Sequence, residues 1–174
     1  MPPTLTVRRA RAADADTVTT IWLEMAREHE QFDPTAWSWS EDPGPVWRDW
    51  FISCTVSPDI IALVAVGGDD HPVGYILARA VSMPAVTRMR KKGEILDVAM
   101  LRSSRGKGGG ATLMRAALDR LHRRGAEGVT LTVASANASA IAFYEHLGLR
   151  ISCHVMVGDM EALREIRTGT HITE

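Results

Sequence analysis

The sequence predicts a mixed α/β sheet flanked by helices, with a parallel crossover among its later strands. Three observations predict it: strand-like runs come early, strands and helices then alternate, and one strand passes through a run of glycines directly into an amphipathic helix. With 174 residues, 45% of them hydrophobic, the chain has material for one full-sized core, so residues 1–174 are read as a single domain.

Leu5 to Arg9 alternates apolar and polar residues as a half-buried strand does. Asp14 stands at an N-cap position ahead of Val18, Ile21, Trp22, Met25 and Ala26, whose spacing predicts an amphipathic helix. Pro34, Pro43, Gly44 and Pro45 surround Trp37 and Trp39 and predict an irregular segment between Glu30 and Pro45, followed by a short helix near Val46 to Cys54. Ile60 to Val66 and Val73 to Val81 are apolar runs joined by Gly67-Gly68-Asp69-Asp70, which reads as a hairpin. A basic connection from Met83 to Lys92 leads to a strand over Glu94 to Met100. Beyond the glycines, Leu113, Met114, Ala117, Leu118 and Leu121 recur at helical spacing until Gly125. Val129 to Val133 is the next strand, Ala138 to Leu147 a helix ending at Gly148, and Ile151 to Val157 a final strand.

Twenty Lys and Arg nearly cancel 21 Asp and Glu, so no global field favours a nucleic acid or an anionic membrane surface. Any anion site must be local. Cys54 and Cys153 lie far apart without metal-like spacing, which indicates neither a disulfide framework nor a zinc site, and no metal is expected. The N-terminal residues lack the apolar stretch of a secretory signal, and no run approaches the ~20 residues of a membrane span, so a cytoplasmic location is expected.

A strand that enters a helix through Gly106, Gly108, Gly109 and Gly110 places unpaired backbone N–H groups at the positive end of the helix dipole. Arg105 and Lys107 add charge, so the turn reads as a phosphate site. A nucleotide-hydrolysing P-loop is excluded, since GxxxxGK[ST] is absent. The stretch from Gly106 to Ala111 satisfies the loose dinucleotide pattern GxGxxA, but the strand that would end in an acid ends in Val133-Ala134-Ser135. A flexible helix entry is the remaining alternative.

Arg105-Gly106-Lys107-Gly108-Gly109-Gly110 matches the [QR]xxGx[GA] signature of the Gcn5-related N-acetyltransferase (GNAT) family, which the chain resembles. The preceding strand from Glu94 to Met100 and the later segment from Asn137 to Gly148 are similar to that family's two other recurring segments, in the same order and separation. The resemblance covers roughly Leu5 to Val157 and leaves residues 158–174 unexplained. It implies a GNAT-type, mostly antiparallel sheet with a parallel β-α-β crossover at the cofactor site. It also implies transfer of the acetyl group of acetyl-CoA to a primary amine by direct attack in a ternary complex.

Residue by residue, the resemblance assigns the cofactor pyrophosphate to Arg105, Gly106, Lys107, Gly108, Gly109 and Gly110, and the pantetheine arm to backbone groups of Val98, Ala99 and Met100. The Val98 amide would stabilise the oxyanion. Asn137 matches a cofactor-contacting position and is equally a good N-cap. Tyr144 matches the tyrosine that protonates the leaving thiolate, against the alternative of an aromatic packed on the sheet. An amine protonated at pH 7 needs a base, and Glu94 coincides with the glutamate that fills this role in histone-type members, against the alternative of a solvated strand-start carboxylate. Asp97 points to the opposite face from Glu94 if the pleat is regular; a bulge would change that.

The resemblance places the acceptor, a small-molecule or peptide amine, near Glu28 to Trp50, where acidic residues mix with tryptophans as suits a cation. An acyl-CoA-binding sensor without turnover and a transferase of longer acyl groups are the alternatives. The final strand and the tail from Glu161 to Glu174 could pair with a second copy as a homodimer or cover their own sheet edge.

Overall fold

The computed structural model describes residues 5–161. In chain order the elements are β1 (Thr6–Arg9), α1 (Ala15–Phe32), α2 (Pro43–Val56), β2 (Ile60–Val66), β3 (Pro72–Ser82), β4 (Lys91–Met100), α3 (Gly109–Arg123), β5 (Gly128–Thr130) and α4 (Ala138–His146). The five strands form one sheet in the order β1-β2-β3-β4-β5, antiparallel throughout except for the parallel pair β4 and β5. This is the mixed, mostly antiparallel arrangement with a crossover that the sequence predicts.

Helix periodicity fixes which residues are buried, and burial assigns the helices to faces. Val18, Ile21, Trp22 and Ala26 of α1 pack with Trp47, Phe51 and Cys54 of α2 on one face of the sheet, against Val64, Tyr75, Leu77 and Ala99. Leu113, Met114, Ala117 and Leu121 of α3 pack on the other face, against Leu63, Ile76, Ile95 and Met100. β2 and the first half of β3 are buried on both faces, which is why they read as continuous apolar runs rather than alternating ones. α3 stops at Gly125, whose φ of +84° and N–H bond to His122 O at 2.8 Å make the left-handed turn that glycine allows.

Asp14 precedes α1 as expected but does not cap it with its side chain. Its carboxylate instead accepts two bonds from Arg8, both 2.8 Å, and one from the Arg11 N–H at 2.7 Å, because it faces the β1 guanidinium across the turn. β5 ends at Thr130 rather than Val133, and residues 131–134 leave the ladder.

The expected final strand does not form. Ile151 to Val157 is exposed and joins no ladder, with Val155 75% and Met156 94% accessible. An apolar pattern reports side chains, whereas a strand needs a neighbour whose backbone pairs with it. Residues 162–174, with the edge-covering or pairing role expected of the tail, lie outside the described residues.

Candidate active site

The turn between β4 and α3 runs through a short 3₁₀ segment, Arg102–Ser104, into the glycines. Gly106 and Gly108 adopt φ of +73° and +82°, conformations that glycine takes without strain. A Cβ at either position would meet no protein atom within 4 Å, so the outer wall of the turn is open. Gly109 has a different reason: a Cβ there would lie 2.6 Å from Met100 Cε and 2.8 Å from Leu5 Cδ1, so it allows α3 to seat against the sheet. Gly110 lies against Phe143, 3.4 Å from its Cζ to an added Cβ, and is likewise limited by packing.

The first-turn amides of α3 stand at the positive end of a 15-residue helix. Thr112 N is bonded to Gly108 O at 3.0 Å, leaving those of Gly109, Gly110 and Ala111 ahead of it as the orphan donors of a helix start. Lys107 Nζ is held by Ser103 O at 2.8 Å beside the turn. Arg105 is anchored through Nε to Met100 O at 3.1 Å and through its terminal nitrogen to both Glu28 oxygens at 3.0 and 2.8 Å. An open concavity of backbone donors with two cations at its rim fits a pyrophosphate.

Upstream of the turn, β4 and β5 pair only at Lys92 with Gly128, Gly93 with Val129 and Glu94 with Thr130. Beyond Glu94 the two parallel strands part. Val98, Ala99 and Met100 keep their partners Ile76, Tyr75 and Gly74 on β3, while their other edge lacks β5. That edge is a row of backbone groups to which an extended ligand can add as a strand.

Asn137 is the N-cap of α4, its Oδ1 accepting from Ala140 N at 3.1 Å and from Ser139 Oγ at 3.0 Å. Seven residues on, Tyr144 is half-buried with its ring against Phe143, centroids 5.2 Å apart. Burial, and then the charge of Asp97, push its hydroxyl up to about 12. At pH 7 it therefore holds its proton.

Glu94 faces two cations. Arg79 Nε and Nη2 both lie 2.9 Å from its Oε2, and Lys92 Nζ lies 3.1 Å from its Oε1. Bonds from Arg79 and then from Lys92 hold its carboxyl below its ordinary value, which lowers its affinity for a proton.

Asp97 behaves in the opposite way. Leu77 pairs with Asp97 and Ala78 with Ile95, so Leu96 is an extra residue and β4 bulges there. The bulge turns Asp97 onto the face that carries Glu94, beside Tyr75 and Trp47. Burial pushes its carboxyl up to about 7, and the Tyr75 hydroxyl, the Val98 amide and the Trp47 indole N–H offset that only in part.

The segment where the acceptor is expected, Glu28 to Trp50, adjoins an aromatic cluster. Trp47 stacks on Trp22 with centroids 5.1 Å apart and on Phe51 at 5.5 Å, and Trp39 meets Trp22 edge-on at 5.1 Å. Trp39 Nε1 donates to Ala26 O at 3.2 Å, which pins the irregular segment onto α1. A pocket of about 310 Å³ lies among Trp22, Trp39, Trp47, Trp50 and Pro43, and a second of about 260 Å³ among Glu24, Arg27, Glu28 and Arg102. Of the acids in this segment, Glu28 is held by Arg102 and Arg105, and Asp33 caps the turn at Thr35 and Ala36.

The model of the acetyltransferase (GNAT) family matches residues 22–149, which span α1 through α4. The chain belongs to this family. No curated protein matches its sequence. Among solved structures, a mutant of the BH1408 protein from Bacillus halodurans superposes with a TM-score of 0.79 at 21% identity, covering 89% of this chain and 99% of that one. The aminoglycoside 6′-N-acetyltransferase from Acinetobacter haemolyticus gives 0.67 at 14% identity, covering 88% and 97%. Glucosamine-6-phosphate N-acetyltransferase from Arabidopsis thaliana gives 0.66 at 15%, covering 90% and 99%. Identities this low establish a shared fold and say nothing about the acceptor.

In this GNAT member α4 meets the glycine turn where Phe143 lies against Gly110, Tyr144 follows Phe143 and is reached by the charge of Asp97 on β4, and Asn137 caps the same helix. Glu94 comes to the same strand but is engaged by its neighbours. Asp97 is the residue that periodicity misplaces: the bulge at Leu96 carries no sequence signal that a regular pleat would reveal.

Proposed function

We propose that the protein transfers the acetyl group of acetyl-CoA to a primary amine by direct attack within a ternary complex. The observation that carries this reading is the parting of β4 from β5 immediately before the open glycine turn. One continuous path then serves the whole cosubstrate: pyrophosphate on the turn at Arg105 to Gly110, the pantetheine arm along Val98, Ala99 and Met100, and the thioester in the gap. The cosubstrate supplies the activated acyl carbonyl.

The chain's own groups would do the rest. The Val98 amide would bond the carbonyl oxygen as charge develops on it, and Tyr144, protonated at neutral pH, would give its proton to the departing sulfur. Asn137 would add a cofactor contact through its amide nitrogen, since its oxygen is the cap. Glu94 stands as a base only if its ion pairs open when the acceptor arrives. The acceptor would enter over the α1–α2 face.

Thiol release from acetyl-CoA across a panel of alkylamines, amino sugars and peptide N-termini tests this. Release with one class of amine supports the reading. Binding of acetyl-CoA without release from any amine would indicate a sensor, and release only from a larger thioester would indicate a longer-chain acyltransferase.

A further inference from the structure

We propose that Asp97, with its carboxylate held beside the Tyr75 hydroxyl, takes the proton from the acceptor amine, the role that the family resemblance gives to Glu94. The inference rests on the acyl-transfer reading above.

Four observations converge on it. First, the bulge at Leu96 puts Asp97 on the acceptor face, in the stretch of β4 that β5 has left. Second, the side chains that act on its carboxyl are the Tyr75 hydroxyl from β3 and the Trp47 indole N–H from α2, and its charge in turn reaches Tyr144 on α4. Among the described residues no cation pairs with it, whereas two pair with Glu94.

Third, the Tyr75 hydroxyl is fully buried and has no hydrogen-bond partner of ordinary geometry. An unmatched buried hydroxyl costs about 1–3 kcal/mol, so its retention calls for a reason. Asp97 is the carboxylate whose charge it feels. Tyr75 is then a positioning residue.

Fourth, Tyr144 packs with the cluster on the α3 side of the sheet, yet its hydroxyl senses the charge of Asp97, which faces the α1–α2 side. Where β5 has diverged, an acid on one face and a base on the other can meet the same thioester. Burial, the main influence on Asp97, leaves its carboxyl near pH 7, where a base has both vacancy and proton affinity.

The proton inventory closes. The Asp97 carboxylate removes one of the three ammonium protons, and the freed lone pair forms the C–N bond to the thioester carbon. Collapse breaks the C–S bond; sulfur leaves with its electron pair and takes the Tyr144 proton. The surplus proton on nitrogen restores the phenol, and Asp97 gives its own to water. One ammonium and one thioester become one amide, one thiol and one released proton.

The test is the pH dependence of kcat with acetyl-CoA and the best acceptor of the amine panel, in wild type, Asp97→Asn, Glu94→Gln and Tyr75→Phe, with acetyl-CoA affinity and melting temperature recorded for each. Wild-type kcat should rise to a plateau with an apparent pKa near 7. Asp97→Asn should lower kcat at pH 7 by ~10²–10⁴-fold and move the rise toward the amine's own value, about 10, with affinity for acetyl-CoA unchanged. Glu94→Gln should keep the limb near 7. Tyr75→Phe, which removes the hydroxyl that favours the carboxylate, should shift that limb upward while keeping most of the plateau rate. Independently of turnover, a carboxyl C=O infrared band titrating near pH 7 in the free protein should vanish in Asp97→Asn.

Activity within tenfold of wild type in folded Asp97→Asn, with the limb retained, overturns the proposal and leaves the acyl-transfer reading intact. So does loss of the limb in Glu94→Gln alone. A wild type that binds acetyl-CoA yet releases thiol with no amine overturns both.

Discussion

Tyr144 and Asp97 owe their proton affinities to burial, but burial serves them differently. A phenol raised to about 12 remains a proton donor at every physiological pH. Tyr144→Phe keeps the ring against Phe143 and deletes the proton, so kcat should fall by ~10²–10⁴-fold with acetyl-CoA affinity unchanged in calorimetry. A carboxyl raised from 3.8 to about 7 binds its proton more tightly folded than unfolded, so its burial costs stability as pH rises through that window, and the cost is complete above it. Asp97→Asn should therefore melt at the wild-type temperature near pH 4 and above it at pH 8, as read by calorimetric scans. A mutant that is less stable than wild type at pH 8 would mean that the carboxylate is stabilised where it lies.

At the scale of elements, two junctions carry testable consequences. The β4-to-α3 turn needs positive φ at Gly108, and a β-branched residue there is strained by about 1–3 kcal/mol besides lining the open wall of the turn. Gly108→Val should fold with a lowered melting temperature and bind coenzyme A more weakly; unchanged affinity by calorimetry would remove the turn from the site. The β1-to-α1 junction depends on Arg8 and Asp14. Burial would raise the Asp14 carboxyl, but the Arg8 guanidinium and the Arg11 N–H hold it below its ordinary value. Arg8→Met strands that carboxylate, whose side chain is 7% exposed, and should cost about 3 kcal/mol at pH 7. Because the folded value is depressed, the cost should shrink as pH falls below about 4, which urea titrations at pH 7 and pH 3.5 would show.

For the molecule as a whole, the sheet is continuous from β1 to the start of β5 and divided beyond it, so ligand pairing along β4 would extend a cooperative structure. Coenzyme A at a hundred times its Kd should stabilise the protein by about 2.7 kcal/mol, or roughly 5–10 °C in Tm. Hydrogen exchange should slow along Val98 to Met100 and in the first turn of α3, and hardly at all in β2, which is already buried between two layers. Uniform protection, without this focus, would contradict the path drawn along β4.

Much was legible in the sequence because it is local. A helix needs one apolar stripe, a glycine turn needs positive φ, and both are written in consecutive residues; hence most of the element order, the glycine turn into α3 and the helix that carries Tyr144 are read directly. Residues 151–157 and 131–133 were misread for the same reason, since alternation describes side chains and not whether a partner strand exists. Tertiary structure alone decided the surroundings of the titratable groups. The extra residue at Leu96 reverses the face of Asp97, Arg79 and Lys92 converge on Glu94 from outside its local pattern, and the Tyr75 hydroxyl is buried beside a carboxylate 22 positions along the chain. Proton affinity is set by what surrounds a group in space, so it emerges only once the sheet has closed around it.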